Sequence, residues 1–166
     1  DAAGNFVTTN QNVVINDNTN PAVPTLATIN SQCSVPSLTA PTTTDNCSGT
    51  ITGTTTQTFP ITSSTTVTWR FADAAGNFET ATQTVTVSDN IKPTITAPSA
   101  TTGTTNVACT STNVTLGSPV VSDNCTATAS LIITNDHPST TYTLGDTTVT
   151  WRVEDTAGNF ATATQI

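Results

Sequence analysis

Methionine is absent from the chain, lysine and arginine together number three, and there is one histidine and one tyrosine. With Glu and Lys nearly missing as well, the residues that favour helices are too few to build a helical protein. Three cations stand against eleven Asp and Glu, for a net charge of −8 and a pI near 4.1. A phosphate backbone or an anionic bilayer would be repelled by such a surface, which excludes nucleic acid as a partner. No run of 18 apolar residues occurs, so neither a spanning helix nor membrane insertion is expected. The first residue is Asp1, with no signal-peptide pattern behind it, as expected of a processed chain or a stretch of a longer one.

What is present is threonine, about a quarter of all residues, in a chain whose charged groups make up only 8%. That charge is too low and the β-branched content too high for a solvated, disordered tail, so the composition predicts an all-β protein. Four cysteines in a Thr/Asn/Ser-rich, Lys-poor chain suit an oxidising, extracellular setting.

The organisation comes from internal repetition. One phrase occurs three times, as Asp1-Ala-Ala-Gly-Asn-Phe6, Asp73-Ala-Ala-Gly-Asn-Phe78 and Asp155-Thr-Ala-Gly-Asn-Phe160. Two others occur twice, Asp17-Asn-Thr-Asn-Pro21 with Asp89-Asn-Ile-Lys-Pro93, and Asp45-Asn-Cys47 with Asp123-Asn-Cys125; Thr-Val-Thr-Trp-Arg recurs at 66–70 and 148–152. We therefore divide the chain into the last strand of a preceding repeat (1–16), repeat one (17–88) and repeat two (89–166). Val67, Trp69 and Phe71 share one face of an alternating strand, as do Val149, Trp151 and Val153. The Asp-x-Ala-Gly-Asn turn should reverse each of these strands into a hairpin, with Ala81, Val85 and Val87 on the inner face of the returning strand in repeat one. Shorter strands are expected near 94–97, 113–116, 128–134 and 140–144. About seven short strands per repeat predict a β-sandwich of immunoglobulin type.

Cys, Asp-Asn-Cys, Thr-Val-Thr-Trp, Asp-x-x-Gly-Asn and Asp-Asn-x-x-Pro, in that shared order, resemble the hyalin-repeat (HYR) family of immunoglobulin-like domains. The Thr-rich character is similar to repeats of giant Bacteroidota surface adhesins, including gliding-motility adhesins. The resemblance implies tandem β-sandwiches in an extended extracellular rod or filament used for cell adhesion, with no enzymatic activity.

Seven of the eleven acids lie in the repeated phrases, and in an immunoglobulin-type sandwich those phrases converge at one pole. This gathers Asp17, Asn18, Asp45, Asn46, Asp73 and Asn77 in repeat one, and Asp89, Asn90, Asp123, Asn124, Asp155 and Asn159 in repeat two. Three adjacent carboxylates repel one another, and a hard cation with six to eight oxygen ligands relieves that repulsion, so Ca²⁺ is expected at each junction, stiffening the array. The alternative is that Asp and Asn simply make turns.

The cysteines suggest an intra-repeat disulfide in each unit, Cys33–Cys47 and Cys109–Cys125, stabilising small cores by about 3 kcal/mol each. Zinc is the competing use, but no CxxC pair occurs and His137 has no counterpart in repeat one. Trp69 and Trp151 read as core rather than sugar platforms. Arg70 and Arg152 face outward, to pair with acids or cover the sheet. No Ser/His/Asp set or acid/base pair repeats, so no enzyme is expected. Thr147 and Thr156 sit in Asp-Thr-Thr and Asp-Thr-Ala contexts suited to O-glycosylation, and Asn46, Asn113 and Asn124 occupy Asn-x-Ser/Thr sequons. The sequence thus points to a structural segment of a long extracellular fibre or adhesin stalk, whose partners are neighbouring repeats or identical subunits. The alternative is a glycan- or surface-binding module using Thr-rich faces and the 135–139 loop, which lies in a stretch that lengthens repeat two by ten residues over the corresponding span, Asp89 to Asp155 against Asp17 to Asp73.

Overall fold

Strands form where β-branched and aromatic residues alternate with threonine. The computed structural model describes residues 1–112 and 114–166; Asn113, with its sequon, lies outside the described residues. The described residues are all-β apart from a single 3-10 turn at Thr128–Ser130. It divides into one unit of Asp1–Ile29 with Pro36–Thr86, and another of Asn30–Val35 with Val87–Ile166.

Repeat one contributes β1 (Ile29–Gln32), β2 (Thr42–Asp45), β3 (Gly49–Thr52), β4 (Thr65–Ala72) and β5 (Phe78–Ser88). β4 pairs antiparallel with β5 from Thr65↔Val85 to Ala72↔Phe78, β2 pairs with β3, and β1 is hydrogen-bonded to β5. Burial along β4 alternates so that Val67, Trp69 and Phe71 point inward, opposite Ala81 and Val85 of β5. Val87, expected on the same inner face, is half-buried. Gly53 lies so close to the Phe71 ring that an added Cβ would meet its Cε1 at 2.8 Å, which makes the missing side chain part of the packing.

Repeat two contributes β6 (Thr94–Thr96), β7 (Thr110–Ser111), β8 (Val120–Ser122), β9 (Ile132–Asn135), β10 (Tyr142–Thr143), β11 (Val149–Glu154) and β12 (Phe160–Gln165). β11 is the centre of a three-stranded sheet between β12 and β9, while β6–β8 and β7–β10 form two-stranded sheets. Val121, Leu131 and Val153 make the core, with Ile95 and Ala161 packed against it. No strand runs through 114–116, where one was expected; the local strand is β7, its position set by the register Thr110↔Thr143 and Ser111↔Tyr142. The expected 128–134 strand begins only at Ile132, after the 3-10 turn.

Both tryptophans are buried, and each indole N–H is satisfied by a glutamine on the next strand. Trp69 Nε1 donates to Gln83 Oε1 at 3.1 Å, and Trp151 Nε1 to Gln165 Oε1 at 3.0 Å. Gln165 in turn donates to the Ser99 and Leu116 carbonyls, 2.8 Å each, stitching loops to the sheet. On the outer face Arg70 lies 4.2 Å over the Phe78 ring, and Arg152 lies 4.4 Å over Phe160 while pairing with Glu154. The arginines thus cover aromatic surface as well as balance charge.

Residues 1–16 carry the phrase that becomes a strand at 73–88 but form no strand themselves. A strand exists only through its ladder partner, and no described segment pairs with this stretch. Val13 is consequently 74% exposed, where its counterpart Val85 is fully buried.

Phe71 has no exposed surface. Replacing it with alanine should cost about 3–5 kcal/mol in urea unfolding, whereas Thr68→Ala on the outer face of the same strand should change stability by less than about 0.5 kcal/mol.

Candidate metal centres

The turn after the hairpin strand is built the same way in both repeats. Asp73 N donates to the Asn77 carbonyl at 3.0 Å and Asp155 N to the Asn159 carbonyl at 3.0 Å, with Gly76 (φ 97°) and Gly158 (φ 90°) supplying the left-handed step. The carboxylates are clamped from within this turn. Asn77 donates its backbone N–H to Asp73 Oδ1 and its amide to Oδ2, both at 2.8 Å, and Asn159 does the same to Asp155 at the same distances. The same amides reach back to the entry segment, to the Asp17 carbonyl at 3.1 Å and the Asp89 carbonyl at 3.2 Å. Asn77 and Asn159, expected as ligands through their oxygens, therefore use their amide N–H groups as the frame that joins hairpin turn to entry segment.

A second carboxylate comes from the Asp-Asn-Cys loop. Asp45 Oδ2 accepts from Cys47 N and Ser48 N, 2.9 Å each, and Asp123 Oδ2 accepts from Cys125 N at 2.9 Å and Thr126 N at 2.8 Å. The third comes from the entry phrase, where Asp17 Oδ1 accepts from Thr19 N at 3.0 Å and Asp89 Oδ1 from Ile91 N at 3.3 Å. In each of these four residues one oxygen is committed to a local turn. The other, Asp17 Oδ2, Asp45 Oδ1, Asp89 Oδ2 or Asp123 Oδ1, is buried without a hydrogen-bond partner.

The three phrases meet. Carboxylate oxygens of Asp17, Asp45 and Asp73 lie within 4.8 Å of one another, and so do those of Asp89, Asp123 and Asp155. Each triad lies within one unit, and they are the two groups of acidic, Cys or His side chains among the described residues with metal-ligand spacing. The remaining asparagines take other roles: Asn90 Oδ1 accepts from Gln32 Nε2 at 2.8 Å, and Asn46 and Asn124 direct their amides at sulfur. Burial pushes the Asp73 and Asp155 carboxyls up, but the hydrogen bonds from Asn77 or Asn159 and from the turn amides outweigh it and hold both below the usual range.

Two residues not anticipated from the sequence complete the frame. Ser48 Oγ accepts from Ala74 N at 3.3 Å, and Thr126 Oγ1 accepts from Thr156 N at 3.2 Å, so the residue after each loop cysteine ties the loop to the hairpin turn. Their common position after Asp-Asn-Cys is the only sequence signal of that role. Thr156, a candidate for O-glycosylation, has its hydroxyl 2.9 Å from Thr126 Oγ1.

The disulfide differs from expectation. Cys33 is bonded to Cys125, 92 residues away, while Cys47 and Cys109 are free thiols; neither Cys33–Cys47 nor Cys109–Cys125 forms. The segment Asn30–Val35 belongs to the unit that contains Cys125, and Cys47 belongs to the other. A disulfide requires Cα atoms within about 7 Å, and sequence proximity does not supply that.

An all-β repeat with a three-aspartate cluster at its entry is the class of module these features define. Residues 88–165 match the family model of the HYR domain, a family whose members occur in extracellular and cell-surface proteins. None of the curated proteins matches the chain. Among the described residues no helix is long and apolar enough to cross a membrane.

Two outcomes follow. Asn159→Ala removes the bridge between Asp155 and the Asp89 carbonyl and should lower the melting temperature by roughly 4–8 °C, with Asn159→Asp failing to restore it because a carboxylate cannot donate. Cleaving the Cys33–Cys125 bond should cost about 4–5 kcal/mol, the loop-closure value for this separation, in denaturant titrations with and without reductant.

Proposed function

We propose that the chain is a structural segment of a long extracellular fibre or adhesin stalk, in which each triad holds one Ca²⁺ and the disulfide pins the array covalently. The observation that carries the metal is the set of four buried carboxylate oxygens without partners, two per triad, each beside a third carboxylate. Turns alone explain the bonded oxygens but leave these four unsatisfied at a cost in desolvation and repulsion. A divalent oxygen-seeking cation removes both costs, and clusters whose gathered ligand atoms are all carboxylate oxygens suit Ca²⁺ better than zinc or copper.

The mechanical consequence follows from where the ligands come from. Asp17 and Asp89 stand on the segments that enter each repeat, while the other two ligands of each site stand on its loop and hairpin turn. An ion shared among them fixes the entry direction of the chain, so a series of such repeats becomes a stiff rod whose partners are neighbouring repeats or identical subunits. Recognition of surface glycans through the 135–139 loop has less support, because the His137 ring is already stacked on Tyr142 with centroids 4.4 Å apart. Thr147 and Thr156 remain the positions we propose for O-glycans.

Calorimetric titration with CaCl₂ should show two sites per chain. Asp45→Asn and Asp123→Asn should each remove one, and a chelator should lower the melting temperature of the unmodified chain. No heat of binding together with equal melting temperatures in calcium and chelator would refute the metal.

A further inference from the structure

The end of β1 is built into the frame of the second triad. Cys33 N donates to the Ser88 carbonyl at 3.1 Å. Gln32 and Asn90 exchange two hydrogen bonds, Gln32 Nε2 to Asn90 Oδ1 at 2.8 Å and Asn90 N to Gln32 Oε1 at 3.2 Å. The residues on either side of Asp89 are thus both held by Gln32 and Cys33. The same segment is held covalently to the loop that carries Asp123, because Cys33 is bonded to Cys125, whose N–H donates to Asp123 Oδ2 at 2.9 Å. Asn124, between Asp123 and Cys125, directs its amide at both sulfurs, 3.3 Å from Cys33 and 2.8 Å from Cys125. All of these residues belong to one compact unit, Asn30–Val35 with Val87–Ile166.

The two carboxylates joined in this way are the ones with an oxygen to spare. Asp89 Oδ2 and Asp123 Oδ1 are buried without a hydrogen-bond partner, and the carboxylates of Asp89, Asp123 and Asp155 lie within 4.8 Å of one another. On one side the entry segment and the loop are joined by the β6–β8 ladder, beginning at Thr94↔Ser122. On the other they are joined through Gln32 and the disulfide. Repulsion between Asp89 and Asp123 pushes the two segments apart, and the covalent link opposes it. Without that link, a cation has to draw the segments together itself, at the expense of its affinity.

We propose that Gln32 and the Cys33–Cys125 bond position Asp89 and Asp123 for the second cation, so that the oxidised chain binds Ca²⁺ more tightly than the reduced chain and bound Ca²⁺ opposes reduction of the bond. This rests on the reading of the triads as cation sites. The two effects are one coupling free energy and are equal in size by linkage. Reduction by glutathione takes two steps. One glutathione thiolate attacks a sulfur of the bond and expels the other as a protein thiolate; a second glutathione thiolate then attacks the mixed disulfide and expels the remaining protein sulfur. Two glutathione thiols become one glutathione disulfide, and their two electrons and two protons pass to Cys33 and Cys125.

Calorimetric titration of the full chain with CaCl₂ tests the coupling, with Asp45→Asn leaving the second site to be read alone and Asp123→Asn leaving the first. Adding Cys33→Ser together with Cys125→Ser to the Asp45→Asn chain should weaken calcium binding at least about fivefold. The same pair in the Asp123→Asn chain should change affinity by less than about twofold, since the first triad makes none of these contacts. Gln32→Ala, which keeps the bond, should also weaken the second site. In a glutathione buffer of fixed composition, CaCl₂ should lower the reduced fraction of Cys33–Cys125 in the Asp45→Asn chain, read by alkylation and peptide mapping. Equal calcium affinity with and without the bond, or equal reduction with and without calcium, would overturn the coupling while the cation sites stand. An equal loss at the first site would overturn it too, by showing that the bond acts only through overall stability. Absence of calcium binding in both single-site chains would remove the sites and the coupling together.

Discussion

Three carboxylates brought within 4.8 Å of one another are the constraint around which each repeat is arranged. Like charges at that separation push apart, and the fold resists with a set of hydrogen bonds that recurs in both repeats: amides of the hairpin turn on one aspartate, loop amides on the second, a turn amide on the third. These bonds use some of the carboxylate oxygens and leave others buried and unpaired.

The hairpin and the cluster depend on each other. Val67, Trp69, Phe71 and Val85, or Val149, Trp151 and Val153, bury the strands that flank the Asp-x-Ala-Gly-Asn turn, and a buried hairpin presents that turn in one orientation. The turn asparagine then spans from its own aspartate to the backbone of the entry segment. Packing therefore decides where the first carboxylate is, and hydrogen bonding decides how closely the others follow. The Trp–Gln pairs do comparable work on the opposite stretch of the sheet, closing loops over an indole that would otherwise bury an unsatisfied N–H.

The disulfide adds a covalent constraint of a different kind. Cys33 sits at the end of β1 in sequence repeat one and is bonded to a loop cysteine of repeat two. A bond inside a repeat would shorten the loops of one small core, whereas this one spans 92 residues of sequence and links a cysteine of repeat one to a cysteine of repeat two.

Period-two alternation made the strands at 65–72 and 149–154 legible, and repetition of whole phrases made the three-aspartate clusters legible, because both signals are local or recur at a fixed distance. Weakly alternating segments were not: β7 and β10 are two residues each, and their extent is set by a partner about thirty residues away rather than by their own composition. Residues 1–16 show the converse, a strand sequence with no strand, since pairing is a property of two segments. Cysteine pairing lay beyond reach for the same reason. Four identical side chains admit several connectivities, and the choice of Cys125 over Cys47 was made by which backbone segments the fold carries together. Residue type, order and spacing settled the chemistry that is available here; distance across the fold settled which atoms use it, because hydrogen bonds, sulfur–sulfur bonds and shared cations act only over a few ångströms.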